Sequence, residues 1–237
     1  MTAPCSEAVE RTFAGIAPRY DLANHLLSFG MDFSWRRRLV RSCLSTHPSG
    51  ILDLATGSGD VTFALGAAMP SETEIIGLDF CQPMLDQAAI KWKDRGSPSN
   101  LKFLLGDCLD LPFAEESFDA ITIAFGLRNL EDRARGLSEM LRVLRPGGRL
   151  LALEFSQPFL LLRPFYFLYL RVALPVLAWL ITGDRKAYQY LASSIHGFPD
   201  RRGLTKEFLE AGFDKVKVTA LTGAIVAIHI AEKSASG

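Results

Sequence analysis

Short apolar runs alternate with amphipathic stretches along most of the chain after Gly50. The runs are rich in Ile, Leu, Val and Phe and have the length of buried strands, whereas the stretches between them repeat apolar residues at helical spacing. One such stretch ends at Arg145-Pro146-Gly147-Gly148, which is a strong helix stop signal. The pattern predicts strands over 51–55, 74–79, 101–105, 120–125 and 149–155, and helices over 60–69, 82–93 and 133–144.

The alternation of strands and helices is typical of a mainly parallel sheet with helices on both faces. Near the C-terminus the pattern changes, because a predicted helix over 204–211 is followed by two apolar runs, 215–221 and 225–230. Only Thr222-Gly223-Ala224 joins these runs, so we expect them to pair as an antiparallel hairpin. Together these patterns predict an α/β fold.

Two regions depart from this alternation. Residues 1–48 have a helical pattern with many aromatic and arginine side chains, and residues 156–200 contain a long apolar segment over 159–181. This segment is long enough for a membrane span, but the charges and helix breakers within it would be costly in hydrocarbon. A buried helix pair, a tail-binding pocket or a membrane-surface patch is the better interpretation. The residues that oppose a span are Arg163, Pro164, Arg171 and Pro175.

Composition narrows the class of protein. A chain of 237 residues suffices for one large α/β domain with its own core. Lys and Arg together number 26, as do Asp and Glu, so the net charge gives no reason to expect a nucleic-acid partner. The first residues lack the pattern of a secretory signal, and the four cysteines lie far apart without metal-ligand spacing. We therefore expect a cytoplasmic protein with reduced thiols and no bound metal.

A glycine-rich turn follows the first predicted strand and leads into a helix. Gly57 and Gly59 flank Ser58 in this turn, and glycines let a backbone approach a ligand closely. Asp53, just before the turn, is placed to accept hydrogen bonds from turn amides or to bind a cationic ligand group. A dinucleotide fingerprint would have a third glycine where this chain has Thr62, which counts against NAD or FAD.

Acidic side chains follow the next two predicted strands. Asp79 closes the second strand, where a carboxylate can bind both ribose hydroxyls of a nucleoside; the alternative is a carboxylate that interacts with a helix dipole. Asp107, followed by Cys108, comes after the third strand and could take an adenine amino group, and Ala124 lies near the end of the fourth strand. Since ligands of parallel sheets bind at the carboxyl ends of the strands, these residues predict a nucleoside-type cofactor at one edge.

In these features the sequence resembles the class I S-adenosylmethionine-dependent methyltransferases, and more narrowly the menaquinone/ubiquinone biosynthesis C-methyltransferase family. The resemblance covers nearly the whole chain, and its most diagnostic stretch is Phe125-Gly126-Leu127-Arg128-Asn129. Ser58 stands where many members have threonine, and its hydroxyl can still serve. Similar motifs lie at 13–21, 27–30, 35–37, 121–129, 145–149, 153–156, 188–191, 194–195 and 198–199.

The resemblance implies a Rossmann-like seven-stranded α/β fold, mostly parallel with a C-terminal antiparallel hairpin, and a helical N-terminal lid. Residues 1–48 would form the lid and substrate region, and residues 49–237 the cofactor-binding domain with an apolar substrate-side insertion at about 156–200. The cofactor would be S-adenosylmethionine. The residues expected to hold it are Asp53, Gly57, Ser58, Gly59, Asp79, Asp107, Cys108 and Ala124.

The activity that the resemblance implies is methyl transfer to a ring carbon of a prenylated hydroquinone, with demethylmenaquinol to menaquinol as the first expectation. A ubiquinone precursor, a phytyl-naphthoquinone or another small molecule stays open as acceptor. Arg128 would stabilise a developing phenolate, Asn129 would hydrogen-bond the ring oxygen or an activating water, and Tyr20 would complete the pocket from the lid. The alternative for Arg128 is a surface salt bridge with Glu131 or Asp132.

An isoprenoid tail would give the apolar segment 159–181 a role, as a groove for the tail or as a contact with the bilayer. Ordinary core or a dimer interface is the alternative, so peripheral contact with the inner face of the membrane and a homodimer both stay open. A non-catalytic protein that binds S-adenosylmethionine or a prenyl lipid is the rival from another class. His25 and His196 are weaker candidates for a base. The side chains available to line a groove are Phe159, Phe165, Tyr166, Phe167, Tyr169 and Trp179.

Overall fold

The apolar runs of the sequence form one sheet. The structure is a computed structural model, and it describes residues 20–174, 176 and 185–235. This part of the chain contains seven strands, namely β1 (Gly50–Leu54), β2 (Glu74–Asp79), β3 (Leu101–Leu105), β4 (Phe118–Ala124), β5 (Leu144–Phe155), β6 (Lys215–Leu221) and β7 (Val226–Glu232). Their order across the sheet is β3-β2-β1-β4-β5-β7-β6.

Helices connect these strands and cover both faces of the sheet. They are α1 (Tyr20–Leu27), α2 (Met31–Leu44), α3 (Asp60–Ala68), α4 (Gln82–Asp94), α5 (Arg133–Val143), α6 (Arg163–Leu168), α7 (Arg185–Gly197) and α8 (Arg201–Glu210). Short 3-10 turns lie at Leu127–Asn129 and Thr222–Ala224, and a π-helical turn over Tyr169–Ala173 follows α6.

Each face of the sheet has its own apolar core, because successive strand residues point to opposite faces. In β1, Leu52 and Leu54 pack in one cluster with Leu137 of α5. Ile51, which precedes Leu52, belongs to the cluster on the other face, together with Leu39 of α2. All of these side chains are fully buried. Burial on both faces explains why the central strands have continuous apolar sequences.

The strand order creates a crevice at the carboxyl edge of the sheet. β1 pairs in parallel with β2 on one side and with β4 on the other. The strands β2 and β3 therefore lie on one side of β1, and the later strands β4 and β5 lie on the other. A binding crevice opens beyond the strand ends where the strand order reverses in this way. β7 runs antiparallel to both β5 and β6, so the predicted C-terminal hairpin and the predicted Rossmann-like sheet are confirmed.

The predicted start of β5 was wrong by five residues, which is the largest boundary error in the sheet. The stop signal ends α5 at Val143 as expected, but β5 starts at Leu144 and not at Arg149. The pairing with β4 shifts register here, since Phe118 pairs with Leu144 whereas Ala120 pairs with Arg149. Gly147 has φ of 75°, which glycine adopts readily, so the residues between form a bulge inside the strand.

The described part of the apolar segment, 159–174 and 176, is divided between surface and interior. Leu160 and Leu161 are exposed, whereas Leu170 and Leu174 pack in a small buried cluster with Leu27 and Ile195. Among the described residues, no helix is both long and apolar enough to cross a membrane. Trp179 lies outside the described residues.

Protonation of His229 is expected to limit stability in acid. His229 lies in β7 with 1% of its surface exposed, and burial lowers the pKa of its imidazole to about 4. Between pH 6.5 and 4 the unfolded chain binds a proton there that the folded chain does not, so stability falls as pH drops through this window, by about 3 kcal/mol. Urea denaturation at a series of pH values measures this slope.

The variant His229→Gln should lose this part of the pH dependence. His47→Asn is the matched control, because His47 is exposed and its φ of 48° suits asparagine. An unchanged slope in His229→Gln would show that other groups cause the loss of stability in acid.

Candidate active site

The glycine turn sits where β1 ends and α3 begins, at the carboxyl-edge crevice. Gly57 has φ of 58° and Gly59 has φ of 87°, both in the left-handed region. A Cβ at Gly59 would also lie 2.7 Å from the ring of Phe63. Both the backbone conformation and the packing therefore disfavour a side chain at this position. The turn is closed by a backbone bond from the Gly59 N–H to the Thr56 carbonyl (3.0 Å).

Asp79 joins this turn to the end of β2. Its Oδ2 accepts a hydrogen bond from the Gly57 N–H at 2.7 Å, and its Oδ1 accepts one from the Cys81 N–H at 2.9 Å. Burial raises the pKa of Asp79, and the two backbone donors oppose that rise without cancelling it. Each carboxylate oxygen has a further lone pair, which leaves room for two hydroxyl donors from a ligand.

Asp53 has a different environment from the one expected. Its carboxylate accepts hydrogen bonds from the hydroxyls of Thr56 (2.7 Å), Thr62 (2.8 Å) and Thr122 (2.7 Å), and not from turn amides. Burial raises the pKa of Asp53 to about 6 despite these donors. The three threonines hold the carboxylate beneath the turn, where it supports the backbone that a ligand would contact.

Ser58 also supports the turn, through a hydrogen bond with a residue of α4. Its hydroxyl accepts from the Nζ of Lys91 at 3.0 Å, and the same Nζ donates to Asp60 at 2.8 Å. Ser58 is buried, so the turn is tied to α4 through Lys91.

A cavity opens above the turn, which we call the edge cavity. It encloses about 790 Å³, including space open to solvent. Three carboxylates, Asp79, Asp107 and Glu131, stand among apolar side chains in its wall. Burial raises the pKa of the Cys108 thiol to about 12, so that it stays protonated. Its lining residues are Ala55, Gly57, Asp79, Phe80, Cys81, Met84, Asp107, Cys108, Leu109, Ala124, Phe125, Gly126, Asn129, Leu130 and Glu131.

The edge cavity fits a nucleoside. The carboxylates of Asp79 and Asp107 can accept bonds from ribose hydroxyls and an exocyclic amine, and Met84 and Leu109 provide apolar contacts for a base. Five of the eight predicted cofactor residues line it, namely Gly57, Asp79, Asp107, Cys108 and Ala124, whereas Asp53, Ser58 and Gly59 shape the turn from outside the lining.

A second, more apolar cavity lies beside the first, and we call it the apolar cavity. Its volume is about 980 Å³, including space open to solvent, and Phe125 lines both cavities. The Phe125 backbone has φ of 59° and its N–H donates to the Leu153 carbonyl at 2.7 Å, which holds this junction in place. The lining residues are Leu27, Ser28, Phe29, Met31, Asp32, Trp35, Arg36, Phe125, Arg128, Phe155, Tyr166, Tyr169, Leu170, Leu174, Leu191, Ile195 and Ile225.

Arg128 lies in the wall of the apolar cavity and not on the surface. Its Nη1 is 2.8 Å from Oε1 of Glu154, and the side chains are 4% and 1% exposed. The same Nη1 donates to the carbonyl of Phe125. The expected alternative, a surface pair with Glu131 or Asp132, is therefore replaced by a buried pair. Sequence reasoning missed Glu154, although a single carboxylate within an apolar strand was a signal for it.

Asn129, the residue after Arg128, belongs to the edge cavity. Its side chain lines the edge cavity, and its Oδ1 accepts a hydrogen bond from the Tyr190 hydroxyl at 3.0 Å. Tyr190 belongs to α7 and was not predicted as a site residue. Tyr20 begins α1, but its side chain lies outside the described residues.

A polar cluster interrupts the apolar cavity on the α1–α2 side. Asp32 accepts hydrogen bonds from Ser28 Oγ at 2.7 Å and from His25 Nδ1 at 2.6 Å, and it pairs with Arg36. Burial raises the pKa of Asp32, but the Ser28 hydroxyl and the Arg36 charge outweigh it, so the net pKa is lowered. Arg36 also lies 3.6 Å from Asp60, which links this cluster to the glycine turn.

The fold and its carboxyl-edge cavity define an S-adenosylmethionine-dependent methyltransferase architecture. The [4+2]-cyclase SpnF superposes with a TM-score of 0.71 at 15% identity, covering 100% of this chain and 98% of that one. A SAM-dependent methyltransferase from Aquifex aeolicus gives a TM-score of 0.59 at 18% identity, covering 78% of this chain and 81% of that one. At these identities the likeness concerns the fold alone, and one neighbour is named a cyclase, so function requires other evidence.

Sequence comparisons supply the narrower assignment. The model of the ubiE/COQ5 methyltransferase family matches residues 1–233. The demethylmenaquinone methyltransferase of Thermus thermophilus is 46% identical over 225 residues, covering 93% of this chain and 99% of that protein. The ubiquinone/menaquinone biosynthesis C-methyltransferase UbiE of Geotalea daltonii is 41% identical over 228 residues, covering 96% and 97%. The chain belongs to the ubiE/COQ5 methyltransferase family, which confirms the predicted S-adenosylmethionine-dependent methyltransferase.

Proposed function

We propose that this chain transfers a methyl group from S-adenosylmethionine to a ring carbon of a prenylated hydroquinone, with demethylmenaquinol as acceptor and menaquinol as product. The observation that carries the proposal is the pair of cavities that share Phe125, one suited to a nucleoside and one apolar with a buried arginine. The names of the relatives from Thermus thermophilus and Geotalea daltonii support the quinone class of acceptor.

The edge cavity would hold the cofactor. Asp79 is placed for the ribose hydroxyls and Asp107 for the adenine amine, while the Gly57 backbone lets the ligand approach closely. S-adenosylmethionine supplies a sulfonium methyl group that is already electrophilic, so the protein needs to orient the acceptor, exclude water and assist loss of a proton.

The apolar cavity would hold the acceptor ring and the start of its tail. Arg128, fixed by Glu154, would stabilise negative charge on a ring oxygen as the phenol ionises and its ortho carbon becomes nucleophilic. Asn129 would hydrogen-bond the ring oxygen or a water from the edge-cavity side. In the net reaction the sulfur–carbon bond breaks, a carbon–carbon bond forms and the ring hydrogen leaves as a proton.

The N-terminal region 1–48 would act as a lid, with Tyr20 closing the pocket, and the insertion at about 156–200 would form the substrate side. α1 and α2 already supply Leu27, Met31 and Trp35 to the apolar cavity. The elements that line the apolar cavity support this division of the chain.

The acceptor is tested by an assay with labelled S-adenosylmethionine and a set of reduced naphthoquinones and benzoquinones. We expect label in the naphthohydroquinone. Label in the benzohydroquinone alone would indicate a ubiquinone precursor, and label in neither would contradict the quinone assignment. A deletion strain gives an independent check, because it should accumulate the demethylated quinone in its lipid extract.

We also propose that the protein works in the cytoplasm at the inner face of the membrane, through an apolar patch beside the mouth of the apolar cavity. Twelve of the 16 exposed large apolar side chains among the described residues belong to two segments, 22–33 and 159–176. The segments adjoin, since the Tyr169 hydroxyl donates to the Leu27 carbonyl at 2.8 Å. The patch consists of Leu22, Leu26, Phe29, Phe33, Phe159, Leu160, Leu161, Leu162, Phe165, Leu168, Val172 and Val176.

The double variant Leu160→Ser/Leu161→Ser should weaken binding to vesicles of phosphatidylethanolamine and phosphatidylglycerol by about tenfold or more. These side chains are 81% and 87% exposed, so their loss should not affect folding. Ile90→Ser/Leu209→Ser is the matched control, because both residues are exposed outside the patch. Equal vesicle binding by the variant, or a dimer in solution that the variant dissociates, would contradict membrane contact through this patch.

A further inference from the structure

Two residues that line the apolar cavity carry buried polar atoms with no hydrogen-bond partner among the described residues. In the part of the chain that the structure describes, four buried side-chain atoms lack a hydrogen bond: Arg128 Nε, Ser156 Oγ, Tyr166 Oη and His229 Nδ1. Two of these residues, Arg128 and Tyr166, line the apolar cavity. An unpaired buried polar group costs stability, and such groups in native proteins therefore call for a reason.

Not every tyrosine in the wall of the apolar cavity has an unpaired hydroxyl. Tyr169 also lines the apolar cavity, but its hydroxyl donates to the Leu27 carbonyl at 2.8 Å. Tyr166 lies one helical turn earlier and packs its ring against that of Phe167, with centroids 5.8 Å apart, while its hydroxyl stays unbonded. The ring of Tyr166 is therefore accounted for by packing, and the hydroxyl is not.

The chemistry of the two unpaired atoms is similar. Arg128 Nε can only donate a hydrogen bond, and a tyrosine hydroxyl is a donor as long as it keeps its proton. Burial raises the pKa of Tyr166 well above its usual value, and the nearby Arg128 charge opposes that rise without cancelling it. Tyr166 thus stays protonated at neutral pH and is excluded as the base. Two donors beside one cation suit an oxygen that bears negative charge.

The aromatic surroundings suit a flat ring between these donors. The Arg128 guanidinium carbon lies 5.2 Å from the centroid of Phe155, and Phe125 and Phe155 are 4.9 Å apart. Phe125 is also the residue that separates this position from the edge cavity. A ring held against these side chains would have its oxygen at the arginine and its reacting carbon towards the cofactor side.

We infer that Tyr166 is a substrate-binding residue whose hydroxyl donates to the same ring oxygen that Arg128 stabilises, so that the two form a donor pair for the phenolate of the acceptor. The inference rests on the proposed function. It adds a specificity: the acceptor must present a free, ionisable ring hydroxyl, and an acceptor with that oxygen methylated should be rejected, because two buried donors would then face an ether.

The test is Tyr166→Phe, which removes one oxygen and keeps the packed ring. We expect kcat/KM for the reduced naphthoquinone to fall about 10- to 100-fold, because a hydrogen bond to a charged oxygen is lost. The acidic limb of the kcat–pH profile should move upward by about 1–2 pH units, since the bound phenol ionises less easily. Titration calorimetry should show an unchanged dissociation constant for S-adenosylmethionine.

Tyr169→Phe is the matched control in the same wall. It removes a hydroxyl that is bonded within the protein, so the melting temperature should fall by a few degrees while the acidic limb stays in place. Tyr166→Phe should instead keep or raise the melting temperature, because no internal bond is lost. If Tyr166→Phe keeps the wild-type pH profile and kcat/KM, or only loses stability as Tyr169→Phe does, the inference is overturned.

Failure of the proposed function is a separate outcome. A wild-type chain that methylates no hydroquinone would overturn that function and this inference with it. A wild type that transfers methyl to the hydroquinone and also accepts the ring-O-methylated analogue equally well would overturn the inference alone.

Discussion

Arg128→Lys is expected to lower kcat about 10²- to 10³-fold while the affinity for S-adenosylmethionine stays within twofold. Lysine keeps a positive charge near Glu154, but it presents a point charge and has no equivalent of the Nε donor. Removing one donor from an oxyanion site typically has an effect of this size. Single-turnover transfer at saturating cofactor measures it, together with calorimetric titration of the cofactor.

Lysine is preferred to alanine because of the buried partner. Arg128→Ala would leave the Glu154 carboxylate buried without its cation, which lowers the free energy of unfolding by about 3–5 kcal/mol. A loss of activity in that variant could then come from unfolding and not from the missing donor. Arg133→Lys is the matched control, since Arg133 pairs with Glu207 through two bonds of 2.8 and 2.9 Å outside both cavities. Loss of cofactor binding in Arg128→Lys would indicate that the arginine supports the cofactor site and not the acceptor site. Retained turnover would contradict its role towards the acceptor.

The same variant separates an enzyme from the non-catalytic rival. A protein that only binds S-adenosylmethionine or a prenyl lipid has no turnover to lose, so a large fall in kcat with intact cofactor binding would exclude that reading.

Asp79→Asn is expected to weaken S-adenosylmethionine binding about 100-fold or more. The carboxylate accepts from two backbone donors, the N–H groups of Gly57 and Cys81, on its two oxygens. An asparagine has one oxygen and would turn its amide N–H₂ towards one of those donors, so the turn loses a bond as well as a ribose contact. Calorimetric titration of the purified variant gives the change in dissociation constant.

Asp86→Asn is the control for the loss of a negative charge, because Asp86 lies on the neighbouring helix α4. Asp86 accepts from Gln82 at 2.8 Å and is exposed, and it lies outside the edge cavity. A dissociation constant for Asp79→Asn within about threefold of wild type would favour the other interpretation of this carboxylate, an interaction with the helix N-terminus alone.

Local pattern was sufficient for the strands that flank the site. β2 and β3 have the predicted bounds, because buried central strands have apolar sequences bounded by turn residues. The sequence alone was enough to place Asp79 and Asp107 at one edge, since parallel strands end on the same side. The bulge at Gly147 was missed, because a proline-glycine sequence marks an interruption but not whether the strand resumes in register.

Residue type alone did not separate ligand contacts from supports. Asp53 is placed by its sequence next to the turn, yet three threonines take up its carboxylate beneath the backbone. Packing already requires glycine at position 59, because a side chain there would meet Phe63. Such differences depend on which side of the turn faces the cavity, and the direction of a side chain is decided by packing.

The sequence by itself determined the α/β class, the position of Asp79 and Asp107 at one edge of the sheet, and the family. Tertiary structure alone decided that Arg128 is buried against Glu154, that Phe125 separates two cavities, and that Tyr166 has an unpaired hydroxyl. The physical reason is the range of the interactions. Strand periodicity and turn chemistry act between near neighbours, whereas a cavity wall joins side chains from α1, α2, α6 and α7 whose proximity arises only when the helices pack.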